Sequence, residues 1–335
     1  MKQLGAAIIG CGSIHPLHAL SVSELEDVTL RLLVDRDRNK AEAAASEYGG
    51  EAADDYLAIL EREDIDVVHL CTPHHEHAGM AVELLKAGKH VVTEKPLAAG
   101  IEAAERMVQA ADHSKGQLGV VLQNRYNESS QTIYRIIESG ELGRLVGMKG
   151  IVTWHRNEGY YAKGGWRGKW ATEGGGVLIN QAIHTLDLLQ WFGGPVEAVR
   201  GSVTTDVLDG VIEVEDTAHA HFRFASGATA ILYATNAYAV NSPVELEIVF
   251  EQGTLHQRRD CLYLSRDGRE TLLCEPPLAI TGAKSYWGTG HRLMIRDFYA
   301  HVREGKKFWL DGTEGIKSLR LVKQVYEASR TAHIK

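Results

Sequence analysis

The sequence predicts a two-domain α/β protein, with a parallel-sheet domain over residues 1–124 and a domain built on a mostly antiparallel sheet over residues 125–335. A chain of 335 residues is long enough for two hydrophobic cores. Up to about residue 124, apolar strand-like runs alternate with helical patterns, which favours βαβ units. From Glu197 to Phe250, strand-like runs follow one another through short turns, which favours antiparallel pairing.

Composition and charge limit the kinds of partner that the protein can have. Charged residues make up 24% and hydrophobic residues 44% of the chain, as in ordinary globular proteins. A formal net charge of −8 gives no attraction for nucleic acid, so we expect a small diffusible ligand. The four cysteines lack disulfide or metal spacing, no apolar run could span a bilayer, and the first strand begins at Gln3. We therefore expect a cytoplasmic protein with free thiols, no signal peptide and no membrane partner.

The first predicted strand, Gln3 to Ile9, ends in a glycine turn typical of dinucleotide-binding domains. Gly10 permits a tight turn, and Gly12 lets the backbone approach a pyrophosphate, which the amides at a helix start attract. His15 stands where a third glycine is usual, which predicts a locally wider first turn. We expect the cofactor to contact the turn residues Gly10, Gly12, Ser13 and Ile14.

The second predicted strand, Val28 to Val34, ends at Asp35, about 20 residues beyond Gly12. A carboxylate in this position accepts hydrogen bonds from the adenosine ribose and repels a 2′-phosphate, so we expect NAD rather than NADP. Arg36 is adjacent, could pair with that phosphate, and is therefore included among the predicted cofactor-binding residues. The alternative role for Asp35 is to cap the helix predicted from Arg38 to Tyr48.

Three histidines crowd the turn after the next strand, which the pattern predicts from Asp66 to Leu70. His74, His75 and His77 could bind a metal, but no HExxH pattern, carboxylate or thiol supports them at ligand spacing. We therefore predict no metal site and interpret these residues as polar groups at a helix start that face the cofactor.

A short apolar strand around Val91 runs directly into Glu94-Lys95-Pro96. Ligands of open α/β sheets bind beyond the carboxyl ends of the strands, so Lys95 is predicted to be the proton-transfer residue. The alternative is that Lys95 is a solvated turn residue and that Pro96 only ends the strand.

A segment dense in rings and cations follows the strand predicted from Val146 to Trp154. Such a mixture can stack on sugar rings, donate to hydroxyl groups or form a positive pocket for an anion. The alternative is an irregular loop that buried tryptophans anchor, and the two interpretations are compatible. The predicted substrate-binding residues of this segment are Trp154, Arg156, Tyr160, Trp166 and Arg167.

The glycine run that starts at Gly174 precedes a helix that the pattern predicts to continue to about Phe192. Asn180, His184 and Asp187 are spaced four and three residues apart, so they would share one otherwise apolar helix face. Because buried polar groups must be paired, Asp187 could hold the His184 imidazole while Asn180 contacts a substrate hydroxyl. The alternative is a hydrogen-bonded core histidine.

These motifs together resemble the Gfo/Idh/MocA oxidoreductases, which include glucose–fructose oxidoreductase and inositol dehydrogenases, over essentially the full chain. The resemblance implies an N-terminal Rossmann domain and a C-terminal α/β domain whose large, open, mostly antiparallel sheet forms homodimer or homotetramer interfaces. It also implies cofactor contacts for Thr72, Pro73, His77, Glu94, Lys95 and Asn124, and a substrate contact for Arg125. The matching marks are Gly10-x-Gly12, Asp35, Thr72-Pro73 with His77, Glu94-Lys95-Pro96, Gln123-Asn-Arg125 and the Gly174 to Asp187 segment.

In the family that this chain resembles, the lysine of Glu-Lys-Pro contacts the reacting hydroxyl, which assigns that role to Lys95. The family's site is completed by an Asp and a His four residues apart, and these positions correspond to Asn180 and His184. Asn180 departs from the pattern, because an amide cannot take up a proton at neutral pH. Proton transfer then rests on Lys95 and His184, while Asn180 orients the substrate.

The resemblance implies an enzyme that transfers a hydride between NAD and a secondary alcohol of a sugar, a sugar derivative or a cyclitol. A second reading is a redox-neutral glycosidase that oxidises a sugar transiently, eliminates the aglycone, adds water and returns the hydride, possibly on an anionic sugar. A third reading, from a different class, is a non-catalytic NAD-binding sensor.

Overall fold

The computed structural model describes residues 3–258, 261–275 and 290–332, and these residues divide into two compact units. Unit 1 contains the described residues up to Gln123 and those from Gly290 to Ile316. Unit 2 contains those from Asn124 to Glu275 and from Lys317 onward. The sequence placed all of the chain beyond residue 124 in one domain, whereas the structure groups 290–316 with unit 1.

Short helices and strands alternate through both units. The strands are β1 Leu4–Ile9, β2 Val28–Val34, β3 Glu51–Ala53, β4 Val67–Leu70, β5 His90–Thr93, β6 Leu118–Val120, β7 Leu145–Thr153, β8 Val196–Thr204, β9 Thr217–Phe224, β10 Thr229–Thr235, β11 Glu245–Phe250, β12 Gly253–Arg258, β13 Cys261–Arg266 and β14 Arg269–Cys274. The helices are α1 His15–Ser23, α2 Arg38–Tyr48, α3 His77–Lys86, α4 Ile101–Asp112, α5 Glu128–Ser139, α6 Glu158–Ala162, α7 Val177–Asn180, α8 Ile183–Gly193, α9 Gly290–Glu304 and α10 Gly312–Ala332.

Unit 1 is a Rossmann-like domain with a six-stranded parallel sheet in the order β3-β2-β1-β4-β5-β6. Every residue of β1 and β4 is buried, as expected for central strands that helices cover on both faces. The predicted parallel sheet is therefore confirmed. The pattern missed β3, because three partly exposed residues carry no apolar run.

The helix α9 explains why the segment 290–316 belongs to unit 1. It packs along α1 and buries one apolar face that includes Met294, Ile295 and Phe298. The Phe298 ring also lies edge-on to Phe308, with ring centroids 5.1 Å apart. Burial of these side chains stabilises the return of the chain to the first sheet.

Unit 2 has an eight-stranded sheet in the order β14-β13-β12-β11-β7-β10-β9-β8. All neighbouring strands are antiparallel except β7 and β10, so the prediction of a mostly antiparallel sheet is confirmed. Burial alternates along β9, which shows that one face of the sheet is covered and the other is not. Helix α8 covers part of this face at Gly150, where an added Cβ would lie 2.7 Å from the Thr185 side chain.

The described residues contain four cysteines, and all four are free thiols, as the sequence predicts. No helix among the described residues combines the length and the apolar character that crossing a membrane requires.

Candidate functional site

The turn after β1 brings the backbone close to the neighbouring strand. Gly10 has a φ of 95°, and a Cβ added there would lie 2.7 Å from the carbonyl oxygen of Cys71. Only glycine tolerates both the dihedral angle and this approach. At Gly12, an added Cβ would meet no atom of the described residues within 4 Å, so the space in front of Gly12 is open.

The start of α1 leaves its first backbone amides available. Among the described residues, no side chain caps the helix at Ile14, and the first turn contains no acidic residue. The positive end of the helix dipole therefore meets no competing carboxylate in that turn. Open space at Gly12 and uncapped amides fit the pyrophosphate of NAD.

Asp35 follows β2 and ties that strand to the glycine turn. Its Oδ2 accepts from the Cys11 N–H at 2.9 Å, and its Oδ1 accepts from the Asp37 N–H at 2.9 Å. The cap of α2 is Asp37, whose side chain accepts from the Asn39 N–H at 3.2 Å. The alternative role of Asp35 as the helix cap is therefore wrong. Because an ionised carboxylate has about four acceptor positions, Asp35 retains capacity for ribose hydroxyls.

Arg36 is engaged on the same side of the sheet. Its guanidinium lies 2.7 Å from the Glu76 carboxylate, although the arginine side chain is 80% exposed. The ion pair balances the positive charge that would otherwise attract a 2′-phosphate, which is consistent with NAD as the cofactor.

His77 connects the turns that follow β4 and β5. It is fully buried, with Nδ1 2.9 Å from the Pro96 carbonyl oxygen and Nε2 2.9 Å from the Thr72 carbonyl oxygen. Burial lowers the pKa of His77, so the neutral ring donates to only one of these two acceptors. His77 thus holds the Thr72-Pro73 turn beside the Glu-Lys-Pro motif from inside unit 1.

Glu94 is buried at the end of β5 and receives three hydrogen bonds. Its Oε1 accepts from Nε2 of His18 at 3.0 Å and from Nε2 of His291 at 3.3 Å, while Oε2 accepts from the Lys95 N–H at 3.3 Å. Burial alone would raise the pKa of Glu94, but the hydrogen bonds from the two imidazoles hold it well below its usual value. Glu94 is therefore a buried carboxylate anion.

The imidazole of His18 begins a directed chain of hydrogen bonds. Burial lowers the pKa of both His18 and His69, so each neutral ring has a single N–H. Because Glu94 only accepts, His18 must donate through Nε2 and accept at Nδ1 from His69 Nδ1, 2.9 Å away. His69 Nε2 then accepts from the Tyr299 hydroxyl at 2.9 Å. All three donors therefore point toward the Glu94 carboxylate.

One group of ligand-type atoms in the described residues is compact enough for a metal ion. It comprises His18, Glu94 and His291, whose candidate atoms lie within 4.8 Å of one another. This group differs from the histidine turn that the sequence singled out. The hydrogen bonds to Glu94 account for the short distances without an ion.

Lys95 lies directly after β5 and is half-buried. Its backbone N–H is held by the Glu94 side chain, and the adjoining Pro96 carbonyl oxygen is held by His77. The backbone on both sides of Lys95 is thus anchored to buried groups of unit 1. Such anchoring is what a side chain with a catalytic position requires.

In unit 2, the glycine run before α7 allows two close approaches. A Cβ at Gly175 would lie 2.0 Å from the Tyr326 hydroxyl oxygen, and one at Gly176 would lie 1.9 Å from the Glu215 carbonyl oxygen. The Glu215 side chain accepts from the N–H groups of Gly176 and Leu178 at 2.9 and 3.0 Å. The Tyr326 hydroxyl also donates to Glu215 at 2.8 Å, so a buried carboxyl anchors the start of α7.

The predicted continuous helix from Gly174 to Phe192 is wrong, because the structure has two helices, α7 and α8. The Ala182 N–H donates to the Val177 carbonyl five residues earlier, at 2.8 Å, which widens the turn between them. Gln181 lies in this break, where its side chain contacts Asn236 at 2.9 Å and Tyr160 at 3.1 Å. Regular helical spacing therefore does not extend from Asn180 to His184.

Asp187 is paired with Arg125 in unit 2. Arg125 Nε donates to Oδ2 at 2.8 Å and Nη2 donates to Oδ1 at 2.7 Å, and both side chains are about 1% exposed. The guanidinium also lies 5.2 Å from the centroid of the Trp191 ring. Asp187, predicted to hold His184, thus uses both carboxylate oxygens on Arg125. His184 lies half-buried in the first turn of α8, and Asn124 lies half-buried in a short 3₁₀ helix, Gln123–Tyr126.

The ring-rich and cation-rich segment forms an alternating stack of aromatic rings and guanidinium groups. Arg156 lies between Trp154 and Tyr160, with its Cζ 5.0 and 5.2 Å from the two ring centroids. Arg167 lies between Tyr160 and Trp166, at 4.8 and 4.6 Å. The structure therefore brings together all five of the residues that the sequence singled out in this segment.

The Tyr160 hydroxyl connects this stack, hereafter the ring–guanidinium stack, to the helix break. It lies 3.1 Å from Gln181 Nε2 and 3.5 Å from Asn180 Nδ2. Asn180, a predicted substrate residue, is therefore next to the stack.

Glu173 is a residue of this region that the sequence analysis did not identify. It is 1% exposed, its Oε2 accepts from the Gly168 N–H at 2.5 Å, and its Oε1 accepts from Asn180 Nδ2 at 2.5 Å. Burial raises the pKa of Glu173 to about 7, although the two donors oppose the rise. A carboxyl between the ring-rich loop and Gly174-Gly-Gly was visible in the sequence, but its burial was not.

Two family models match most of the chain. Residues 4–122 match the one described as "Oxidoreductase family, NAD-binding Rossmann fold", and residues 130–256 match the "GFO/IDH/MocA C-terminal domain". The two matches correspond closely to the two sheets of the structure.

Among solved structures, the chain is similar to the WlbA dehydrogenase from Bordetella pertussis in complex with NADH and UDP-GlcNAcA. The two share 31% identity over 98% of this chain and 97% of the other, with a TM-score of 0.85. Levoglucosan dehydrogenase from Pseudarthrobacter phenanthrenivorans is 26% identical over 79% of this chain and 77% of its own length. Inositol 2-dehydrogenase from Rubrobacter xylanophilus is 27% identical over 76% and 71%.

Proposed function

The chain belongs to the Gfo/Idh/MocA family of NAD-dependent oxidoreductases, and we propose that its substrate is an anionic sugar derivative with a secondary alcohol. NAD, when bound, supplies the chemistry of hydride acceptance and donation. The observation that carries the choice of substrate is the ring–guanidinium stack beside Asn180. Rings can cover the face of a sugar, and guanidinium groups match phosphate or carboxylate oxygens.

In unit 1, the turn residues Gly10, Gly12, Ser13 and Ile14 hold the pyrophosphate through backbone amides. Asp35 accepts from the ribose hydroxyls and stays anchored to Cys11. His77 keeps the carbonyl groups of Thr72 and Pro96 in place. The remaining residues that we assign to the cofactor are Arg36, Pro73, Glu94, Lys95 and Asn124.

Lys95 removes the proton from the reacting hydroxyl in the oxidation direction and returns it in reduction. The Glu94 carboxylate behind it is fixed by His18 and His291, so the motif cannot turn away without breaking buried hydrogen bonds. His184 assists this proton transfer and Asn180 contacts a substrate hydroxyl.

The guanidinium groups of the stack explain the preference for an anion. Arg156 Nη1 donates to the Asn241 side chain at 2.7 Å, which fixes its orientation. Arg167 Nε is buried and has no hydrogen-bond partner among the described residues, so an oxygen of the substrate would satisfy it. The WlbA relative binds UDP-GlcNAcA, a ligand with an anionic diphosphate. Arg125 has a supporting role in this scheme, because its guanidinium is bound to Asp187.

The glycosidase and the NAD-binding sensor are not retained as proposals. The three relatives described above are named dehydrogenases, which favours net oxidation or reduction over a redox-neutral reaction.

The test is NADH formation from a panel that contains UDP-GlcNAcA, levoglucosan and myo-inositol. We expect turnover with UDP-GlcNAcA and a reduction by roughly two to four orders of magnitude in Lys95→Ala, with NAD affinity unchanged within a few fold. The matched control is Lys86→Ala, an exposed lysine at the end of α3. Turnover of the uncharged sugars alone would contradict the anionic substrate, and full activity of Lys95→Ala would remove Lys95 from the reaction.

The same family membership leads us to propose a homodimer or homotetramer. The uncovered face of the unit 2 sheet carries exposed apolar side chains, Ile231 at 48% and Tyr233 at 41% exposure, on adjacent outward positions of β10. Light scattering after size-exclusion chromatography should give two or four chains, and Ile231→Lys should reduce that number. A monomeric wild-type protein would contradict the assembly.

A further inference from the structure

The pair of Glu173 and Asn180 has an arrangement that the proposed chemistry does not yet use. Gly168 N–H holds Glu173 Oε2, which leaves Oε1 directed at the Asn180 amide. At 2.5 Å from a carboxylate oxygen, the amide must present its Nδ2 end, because carboxylate oxygens only accept. Asn180 Oδ1 is then the end of the amide that is turned away from Glu173.

We propose that Glu173 is a positioning residue whose protonation state decides which end of the Asn180 amide faces the substrate. When Glu173 is ionised, it accepts from Nδ2, and Oδ1 accepts from a substrate hydroxyl. When Glu173 is protonated at Oε1, it donates to Oδ1, and Nδ2 donates to a substrate carbonyl oxygen. The amide thus suits the alcohol in one state and the ketone in the other, and no covalent bond changes.

The titratable groups around Glu173 come from four parts of unit 2. Arg167 of the ring-rich loop favours the ionised form, whereas Glu215, before β9, disfavours it. With burial as the largest influence, the pKa of Glu173 is raised to about 7, so both protonation states exist near neutral pH. The other titratable groups that interact with this carboxyl are Tyr161 of α6 and Tyr326 of α10.

Asn236 provides an internal comparison for this pair. Its Nδ2 donates to the Tyr161 hydroxyl at 3.0 Å and to Gln181 Oε1 at 2.9 Å, and it is fully buried. Neither partner changes its charge near pH 7, because burial raises the pKa of Tyr161 far above that range and Gln181 does not titrate. The Asn236 amide should therefore keep one orientation.

The decisive experiment observes the side-chain amides of asparagine by NMR in the NAD complex, without substrate, from pH 5.5 to 8.5. We expect the Asn180 resonances to shift with a midpoint near pH 7, while those of Asn236 stay in place. The shift should disappear in Glu173→Gln, a variant of nearly equal size. Asn180 resonances that do not move, or that still move in Glu173→Gln, would overturn the inference.

A second measurement on the wild-type protein does not depend on the folding of any variant. The Glu173 carboxyl carbon, labelled with ¹³C, should titrate with the same midpoint as the Asn180 amide. Different midpoints would separate the two groups and reject the coupling.

The inference rests on the proposed function only in assigning Asn180 to the substrate, and kinetics with UDP-GlcNAcA test that part. We expect kcat/KM for oxidation to rise about ten-fold from pH 6 to pH 8, which follows the ionised fraction of a group with a pKa near 7. Glu173→Gln should lose this step, and the exchanged pair Glu173→Gln/Asn180→Asp should regain an ionisation. A step that persists in Glu173→Gln would reject the role in catalysis. Absence of all turnover would reject the substrate proposal while the NMR result still decides the amide orientation.

Discussion

Two buried glutamates, Glu94 in unit 1 and Glu173 in unit 2, respond to burial in opposite ways. They are 7% and 1% exposed, and each accepts hydrogen bonds through both carboxylate oxygens. The pKa of Glu94 lies well below its usual value, whereas the pKa of Glu173 is raised to about 7. Burial therefore does not by itself decide the charge of a carboxyl group.

The partners explain the difference between the two glutamates. Glu94 accepts from two imidazoles, groups that are able to carry positive charge. Glu173 accepts from a backbone amide and from a side-chain amide, both neutral, and another buried carboxyl, Glu215, disfavours its ionisation. The same residue type is thus a fixed anion in one unit and a titrating group in the other.

The largest expected effect comes from Glu94→Gln, which breaks the fixed anion. His18 and His291 would face an amide whose NH₂ group cannot accept, and buried donors would be left without partners. We expect a loss of about 3–5 kcal/mol in the free energy of unfolding, measured by urea denaturation at pH 7. The control Glu61→Gln changes an exposed glutamate of unit 1 and should stay within about 0.5 kcal/mol. Equal stability of the two variants would contradict the importance of this network.

A smaller effect, of opposite sign for the two glutamates, is expected in the pH dependence of stability. Between pH 4.5 and 7 the unfolded chain loses the proton of Glu173 while the folded protein keeps it, so stability falls by about 3 kcal/mol as pH rises. The lowered pKa of Glu94 acts the other way: its contribution is present above pH 4.5 and is lost as pH falls further.

Denaturation at a series of pH values separates these contributions. The difference in stability between wild type and Glu173→Gln should vary from pH 4.5 to 7, and the difference between wild type and Glu94→Gln should vary below that range. A constant difference for Glu173→Gln across its range would show that Glu173 does not titrate there.

The smallest effect concerns the far end of the hydrogen-bond chain behind Glu94. Tyr299→Phe removes the hydroxyl that donates to His69 Nε2 but keeps the buried ring. We expect a loss of about 1 kcal/mol in the free energy of unfolding, the usual net contribution of one hydrogen bond. Tyr238→Phe, at a tyrosine that is 47% exposed, is the control. A Tyr299→Phe variant as stable as this control would show that the chain does not extend to Tyr299.

Local motifs were readable from the sequence because their geometry depends on neighbouring residues. A strand, a turn with Gly10 and Gly12, and a helix start form one short segment, and so do β5 and the Glu-Lys-Pro motif. The ring–guanidinium stack was predicted as a set for the same reason, since its members lie between residues 154 and 167.

Pairs that are distant in the sequence could not be predicted in this way. Asp187 was assigned to His184 by helical spacing, but its carboxylate binds Arg125, 62 positions away. Spacing rules also failed at Gln181, whose contacts with Tyr160 and Asn236 accompany the break between α7 and α8. Segment 290–316 joined unit 1 through the packing of α9 on α1, which no local pattern records.

The sequence by itself determined the fold class, the cofactor turn and the family, because periodicity and short motifs depend on neighbouring residues. Only the tertiary structure decided the charge of the buried groups. Glu94 and Glu173 look equivalent in the sequence, and each stands directly beside a motif. Their pKa values differ because long-range folding placed imidazoles around one carboxyl and neutral amides, with a second carboxyl, around the other.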